Sequence, residues 1–185
     1  SDWQLRDEAA RRAAHSEFDR PLVVVAGAGT GKTTILVSRV LSWCLDPGWE
    51  EAYQSFEEHE PGTAGEATVA RRALEGVVAI TFTEAAAAEM AERVARALSD
   101  VAVGEFPKGV TRKLLQVDDD RELADRAAAL ADEVHRLRVQ TIHSWCHHLL
   151  RAFPIEAGIH PAFEVDADGT EVVDAVTETV ATTLR

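Results

Sequence analysis

The run Ala26-Gly27-Ala28-Gly29-Thr30-Gly31-Lys32-Thr33 lies between an apolar stretch, Leu22-Val23-Val24-Val25-Ala26, and a segment with helical spacing. Glycines let the backbone turn tightly, so that successive N–H groups can point inward at phosphate oxygens. A helix opening at Gly31-Lys32 adds the positive end of its dipole to the same place. Lys32 is then set to reach the β- and γ-phosphates, and the Thr33 hydroxyl to take a Mg²⁺ ion. Residues Ala26, Gly27, Ala28, Gly29, Thr30, Gly31, Lys32, Thr33 and Thr34 are accordingly assigned to ATP with Mg²⁺, Lys32 and Thr33 being the catalytic pair. The strict pattern asks for Gly where this chain has Ala26. A glycine-rich turn that merely ends in Lys-Thr is the alternative, and a strand before with a helix after argues against it. The loop does not say which reaction follows.

Two further segments carry hydroxyl, imidazole and aromatic groups, Thr81-Phe82-Thr83 and Thr141-Ile142-His143-Ser144-Trp145. Taken alone, the first reads as the end of a buried strand and Trp145 as a core aromatic. His143 and His147 have the i, i+4 spacing of a metal pair, but no Glu or Cys joins them as a third ligand.

Stepwise along the chain, Asp7 to Phe18 reads as a short helix, and Leu22 to Ala26 as a β-branched buried strand bounded by Pro21 and Gly27. Lys32 to Leu45 places Ile35, Leu36, Val40, Leu41 and Cys44 at helical spacing, and Asp46-Pro47-Gly48 stops it. Residues 49–75 are weakly patterned and acidic, with Pro61-Gly62 and Gly65 as breakers, and read as a surface insertion with some helix. A second strand covers Val77 to Phe82. An Ala-rich helix from Glu84 to Leu98 follows, its first acid suited to the helix dipole. Arg121 to Leu137 makes one helical stripe. An extended piece from Val139 to Thr141 leads to a helix from about Ser144 to Phe153, ended by Pro154. The pattern at Val172, Val173, Val176, Val180 and Leu184 runs to Arg185 with no stop signal, so a longer polypeptide is expected. Strand, helix, strand, helix implies a parallel α/β sheet.

Composition bounds these readings. The 185 residues are 46% hydrophobic, enough for a core, and fit one domain or one with part of a second. No apolar run approaches the roughly 20 residues of a membrane span. No basic start precedes an apolar stretch in Ser1 to Glu8, so no secretory leader is read and a cytoplasmic location is expected. Cys44 and Cys146 are read as buried free thiols. The net charge of −13 argues against a broad basic face on duplex DNA, though not against a narrow strand-binding track.

The motifs, taken in order, resemble a known family. Ala26 at the first loop position, Ile80-Thr81-Phe82-Thr83-Glu84-Ala85-Ala86-Ala87-Ala88-Glu89-Met90 and Thr141-Ile142-His143-Ser144-Trp145-Cys146 resemble the phosphate loop, motif Ia and motif Ib of UvrD/Rep-type superfamily 1 DNA helicases. Ala85, and the stretch from Leu150-Arg151 through Glu156-Ala157-Gly158-Ile159 to Phe163-Glu164-Val165, are similar to the RecB/AddA branch. The resemblance covers residues from about 7 to 165. It implies a P-loop NTPase (RecA-like) parallel sheet flanked by helices and incomplete in this chain. It further implies ATP-driven translocation on single-stranded DNA in repair or recombination. Thr81, Phe82, Thr83, Thr141, His143 and Trp145 would line the DNA track, with aromatic faces for bases and hydroxyls for phosphates. Glu8 stands roughly where the family has an adenine-reading Gln, and Gln4 is the nearby Gln; a Glu could accept from the adenine amino group but not donate.

An Asp-Glu pair ending a strand (motif II) is also implied. Asp7-Glu8, Asp132-Glu133 and Val117-Asp118-Asp119-Asp120 are poor candidates for it. The expected organisation is therefore residues 1–165 as the first part of motor domain 1A and 166–185 as the start of a helical 1B-like region. The rest of 1B, domains 2A and 2B, and a nuclease domain or subunit would be partners, and this piece alone would lack hydrolysis. A small P-loop kinase predicts an Arg-rich lid motif that the chain lacks; a non-catalytic nucleotide- or DNA-binding module is the other alternative.

Overall fold

A computed structural model describes residues 10, 12–25, 31–59, 61–107, 110, 112, 115, 117–160 and 162–163. The chain divides into two compact units, 1–142 and 143–185.

In the first unit, residues 12–16 are helical. Helix α1 (Lys32–Leu45) buries Val37, Val40, Leu41, Cys44 and Leu45 on one stripe, the i, i+3, i+4 spacing its sequence announces. A single residue, Asp46, separates it from α2 (Pro47–His59). Pro47 ends one helix and opens the next, because its missing N–H is no loss in a first turn. Gly48 is needed at this junction: a Cβ there would lie 2.4 Å from Trp43 Nε1. Helix α3 (Glu66–Glu75) returns across α2 and buries Val69, Ala70, Ala73 and Leu74. Residues 49–75 are thus not a surface insertion. They form a pair of helices whose inner faces, with Trp49 and Ala52 from α2, belong to the main core. Small alanines spaced among charges hid that face from pattern reading.

Strand β1 (Val78–Thr81) leads into α4 (Glu84–Ala102), which buries Met90, Val94, Ala97, Leu98 and Val101. Helix α5 (Asp120–Asp132) packs on α4 through Leu123, Ala127 and Leu130. The stripe expected to run to Leu137 breaks at Glu133, and Val134–Arg136 forms one 3₁₀ turn. Strand β2 (Arg138–Thr141) then lies parallel to β1, Val78 facing Arg138 and Thr81 facing Thr141.

One buried cation ties the helices together. Arg126 of α5 donates to the Leu45 carbonyl at 3.0 Å and to Glu50 at 2.6 Å, and also pairs with Glu122. Its guanidinium lies 5.4 Å from the Trp49 ring. This satisfies a carbonyl at the end of α1 that has no intrahelical donor.

The strand expected at Leu22–Ala26 is a correction among the described residues. Residues 21–25 pair with no strand, and the described sheet holds only β1 and β2. Val23 is 86% exposed and Val25 94%. A β-branched run becomes a strand only where a neighbour accepts its ladder of hydrogen bonds, and among the described residues β1 and β2 pair only with each other. Ala26 lies outside the described residues.

In the second unit, α6 (Ile142–Ala152, following directly from β2) has no buried residue. Pro154 does not simply stop it but opens a short further turn, α7 (Pro154–Ala157), closed by Gly158 at φ 66. Cys146 is exposed, against the expectation of two buried thiols, whereas Cys44 is buried. Burial pushes the Cys44 thiol up to about 12. The 1B-like region expected at 166–185 lies outside the described residues. None of the described helices is long and apolar enough to cross a membrane.

Candidate nucleotide and nucleic-acid site

Of the nine residues assigned to the phosphate site, Gly31, Lys32, Thr33 and Thr34 are described; Ala26, Gly27, Ala28, Gly29 and Thr30 lie outside. Gly31 is the N-cap of α1 at φ 85, a left-handed conformation that suits glycine, and offers no side-chain cap. The first helical bond runs from Ile35 N–H to the Gly31 carbonyl, 3.0 Å. The N–H groups of the first turn therefore need acceptors from outside the helix. No acid sits in that turn. Lys32 is exposed, with Thr33 and Thr34 half-buried beside it. A helix start with no acid at its positive pole, one ammonium and one hydroxyl is chemistry for an anion with a bound Mg²⁺. Glu8 and Gln4 lie outside the described residues.

The direction of α1 matters for what else this start can meet. Trp43, near its end, lies at the beginning of β1, its Nε1 4.0 Å from where a Gly76 Cβ would stand. Leu36 and Val40 share a cavity of about 340 Å³ with Val78, Ala79 and Ile80. The helix thus runs back along β1, and its N-terminus points toward the end of the strand that carries Thr81.

At that end two of the sequence-selected segments come together. Thr81 and Thr141 are partners in register at the last positions of β1 and β2. The Thr81 hydroxyl donates to the Thr83 carbonyl at 3.0 Å, and the Thr83 hydroxyl accepts from the Ala86 N–H at 3.1 Å, capping α4. Phe82, between them, is 91% exposed, which no packing role accounts for. Thr141 is buried. His143 is exposed and Trp145 half-buried, both on α6 in the second unit. There His147 meets Phe163 edge to face at 5.3 Å.

The acidic candidates have structural partners instead. Asp119 caps α5 by accepting from Arg121 N–H at 2.8 Å, and Asp120 pairs with Arg112 at 2.6 Å. Asp132 closes α5, and Glu133 lies 3.8 Å from Arg136. None of these ends a described strand. Asp7-Glu8 lies outside the described residues. No group of three or more His, Cys, Asp or Glu that could hold a metal occurs among the described residues.

One group of residues went unnoticed in the sequence. His15, Phe18, Ser38, Arg39 and Trp43 join the helix before the phosphate segment to the one after it. Its signal was slight, an arginine next to the buried stripe of α1.

Comparison with known proteins follows the same lines. Residues 6–184 match the UvrD/REP helicase N-terminal domain. The chain is 32% identical over 183 residues to an ATP-dependent helicase/nuclease subunit of Moorella thermoacetica, covering 96% of this chain. It is 33% identical over 168 residues to the protein of the same name from Desulforudis audaxviator, and 32% over 163 residues to that of Desulforamulus reducens, covering 88% of this chain in each case. It spans 10% of the length of each of these relatives.

Proposed function

The chain belongs to the UvrD/REP helicase N-terminal domain family, and from that premise we propose that it is the ATP-binding front part of a DNA helicase motor. In this reading residues 26–34 cradle ATP and the Thr33 hydroxyl takes Mg²⁺. Thr81, Phe82, Thr83, Thr141, His143 and Trp145 follow a single DNA strand. The fold is the P-loop, RecA-like one, with residues 1–165 in domain 1A and 166–185 opening 1B. The longer polypeptide would carry domains 2A and 2B and work in the cytoplasm, in repair or recombination, with a nuclease on the same chain or a separate one.

The observation that carries this reading is the register of Thr81 with Thr141. In an open parallel sheet, ligands bind beyond the carboxyl ends of the strands. Both hydroxyl-bearing strand ends lie at that edge, toward which the Lys32 end of α1 is directed. The bare Phe82 ring beside them offers a face on which a base can stack. Hydrolysis needs a further carboxylate pair at a strand end, which the described strands of this chain do not supply, so the piece alone binds nucleotide without turning it over.

The test is a nucleotide and DNA titration of three proteins. Wild type should bind both ATP and a single-stranded oligonucleotide. Lys32→Ala should lose ATP with an unchanged melting temperature, and Phe82→Ala should weaken the oligonucleotide by about 1–3 kcal/mol. ATP binding untouched by Lys32→Ala would end the nucleotide assignment. ATP binding with no affinity for DNA would favour another phosphate-loop enzyme.

A further inference from the structure

We propose that Arg39 is a positioning residue for the nucleotide site, clamping the segment that enters the phosphate loop onto the helix that leaves it. The inference rests on the nucleotide reading above, and adds a residue that touches no phosphate.

Arg39 lies seven residues along α1 from Lys32, about 10 Å at 1.5 Å per residue. Its guanidinium donates to two carbonyls, Ala14 at 3.0 Å and Glu17 at 2.7 Å. Ala14 lies in the last turn of the helix at 12–16, and Glu17 is the residue that follows it, so both carbonyls lie past the reach of that helix's own N–H groups. A cation there also meets the negative pole of that helix. The guanidinium carbon stands 4.5 Å from the Phe18 ring centre, and Phe18 in turn meets Trp43 edge-on at 5.1 Å. One residue earlier, the buried Ser38 hydroxyl is hydrogen-bonded to His15 Nδ1. Two consecutive residues of α1 therefore grip His15, Ala14, Glu17 and Phe18.

Only thirteen residues separate Glu17 from Gly31, where α1 begins. The clamp joins Glu17 to Arg39, so the chain between them is closed through the start of α1, and that closure cost is met on folding and not on binding. Fixing the residues on both sides of a binding segment before the ligand arrives lowers the ordering cost that binding must meet. A planar fork suits two carbonyls three residues apart, and a lysine, a single point of charge, does not reproduce it.

The expected signature is weaker affinity for the triphosphate moiety itself. Arg39→Met, which keeps the packing stem, should weaken both ATP and inorganic tripolyphosphate by roughly 5- to 30-fold in calorimetric titrations. Arg39→Lys should fall between it and wild type. Val69→Ala, a substitution in the α3 core that also lowers the melting temperature, serves as the control and should leave both affinities unchanged. The proposal is overturned if Arg39→Met binds both ligands like wild type, or if Val69→Ala loses affinity to the same extent, which would make Arg39 a matter of general stability. A wild-type chain that binds neither ligand would fail the nucleotide reading instead, a different result.

Discussion

Two sides of the first unit are built from the same residue types and finished differently. Where α1, α2, α3 and α5 meet, Leu41, Leu45, Leu74 and Leu130 are fully buried, and Arg126 ties three helices together from within. On the strand side, Val78 and Ile80 of β1 stay 40% and 42% exposed, and Phe82 just beyond them 91%. The first side has spent its apolar surface on stability. The second keeps valine, isoleucine and phenylalanine in water, at the edge where the sequence places its chemistry. Large apolar groups left uncovered in a cluster mark a surface that meets something else.

Truncations should therefore cost very different amounts on the two sides. Leu45→Ala should lower stability by about 2–5 kcal/mol in chemical denaturation, because it empties space in the closed core. Phe82→Ala should change it by less than ~0.5 kcal/mol, because the ring is 91% exposed. Similar losses at both would abolish the distinction.

A smaller effect is expected at Thr83. Replacing it by Ala removes the hydroxyl that caps α4 and should cost about 1 kcal/mol. Because Thr83 also stands on the open side, the same variant sharpens the contrast if oligonucleotide affinity falls with stability. The Leu45 variant, compared under conditions where it remains folded, should keep its affinity.

The mildest probe uses the thiols. In the native chain, iodoacetamide at neutral pH should modify the exposed Cys146 and spare Cys44. Burial holds the Cys44 thiol protonated up to about 12, against an ordinary value of 9.0. The sign for stability follows. The unfolded chain releases this proton first as the medium becomes alkaline, so the contribution of Cys44 to folding is complete below pH 9.0 and is lost as pH climbs toward 12. A Cys44 that alkylates as fast as Cys146 would show that the closed side opens readily.

Much of this was legible in the chain. The spacing of Ile35, Leu36, Val40, Leu41 and Cys44 announced α1 with its bounds, since an amphipathic pattern with Gly before and Pro after leaves little choice. Val37 and not Leu36, however, lies on the buried face. Both strands beside the Thr81 and Thr141 segments were found within a residue or two. The helices at 47–75 were not legible as core, because Trp49, Ala52, Ala70 and Ala73 are spread among acids and become a face only when α5 packs on them. The valines at 23–25 misled in the opposite direction, since their composition fits a buried strand that has no described neighbour. Arg39 and Phe18 gave no local sign of their contact, twenty-one residues apart.

The residues themselves determined which local elements form and which groups can do chemistry: helical stripes, a glycine at a left-handed turn, one lysine and a threonine at a helix start. These depend on neighbours within a few positions, where backbone sterics and side-chain period act directly. Tertiary structure alone decided that Thr81 and Thr141, sixty residues apart, end their strands in register, that Arg126 is buried against Leu45, and that Phe82 is bare while Trp49 is covered. Such pairings are selected by how whole faces of helices and strands fit together, a property of packing that no short stretch of sequence contains.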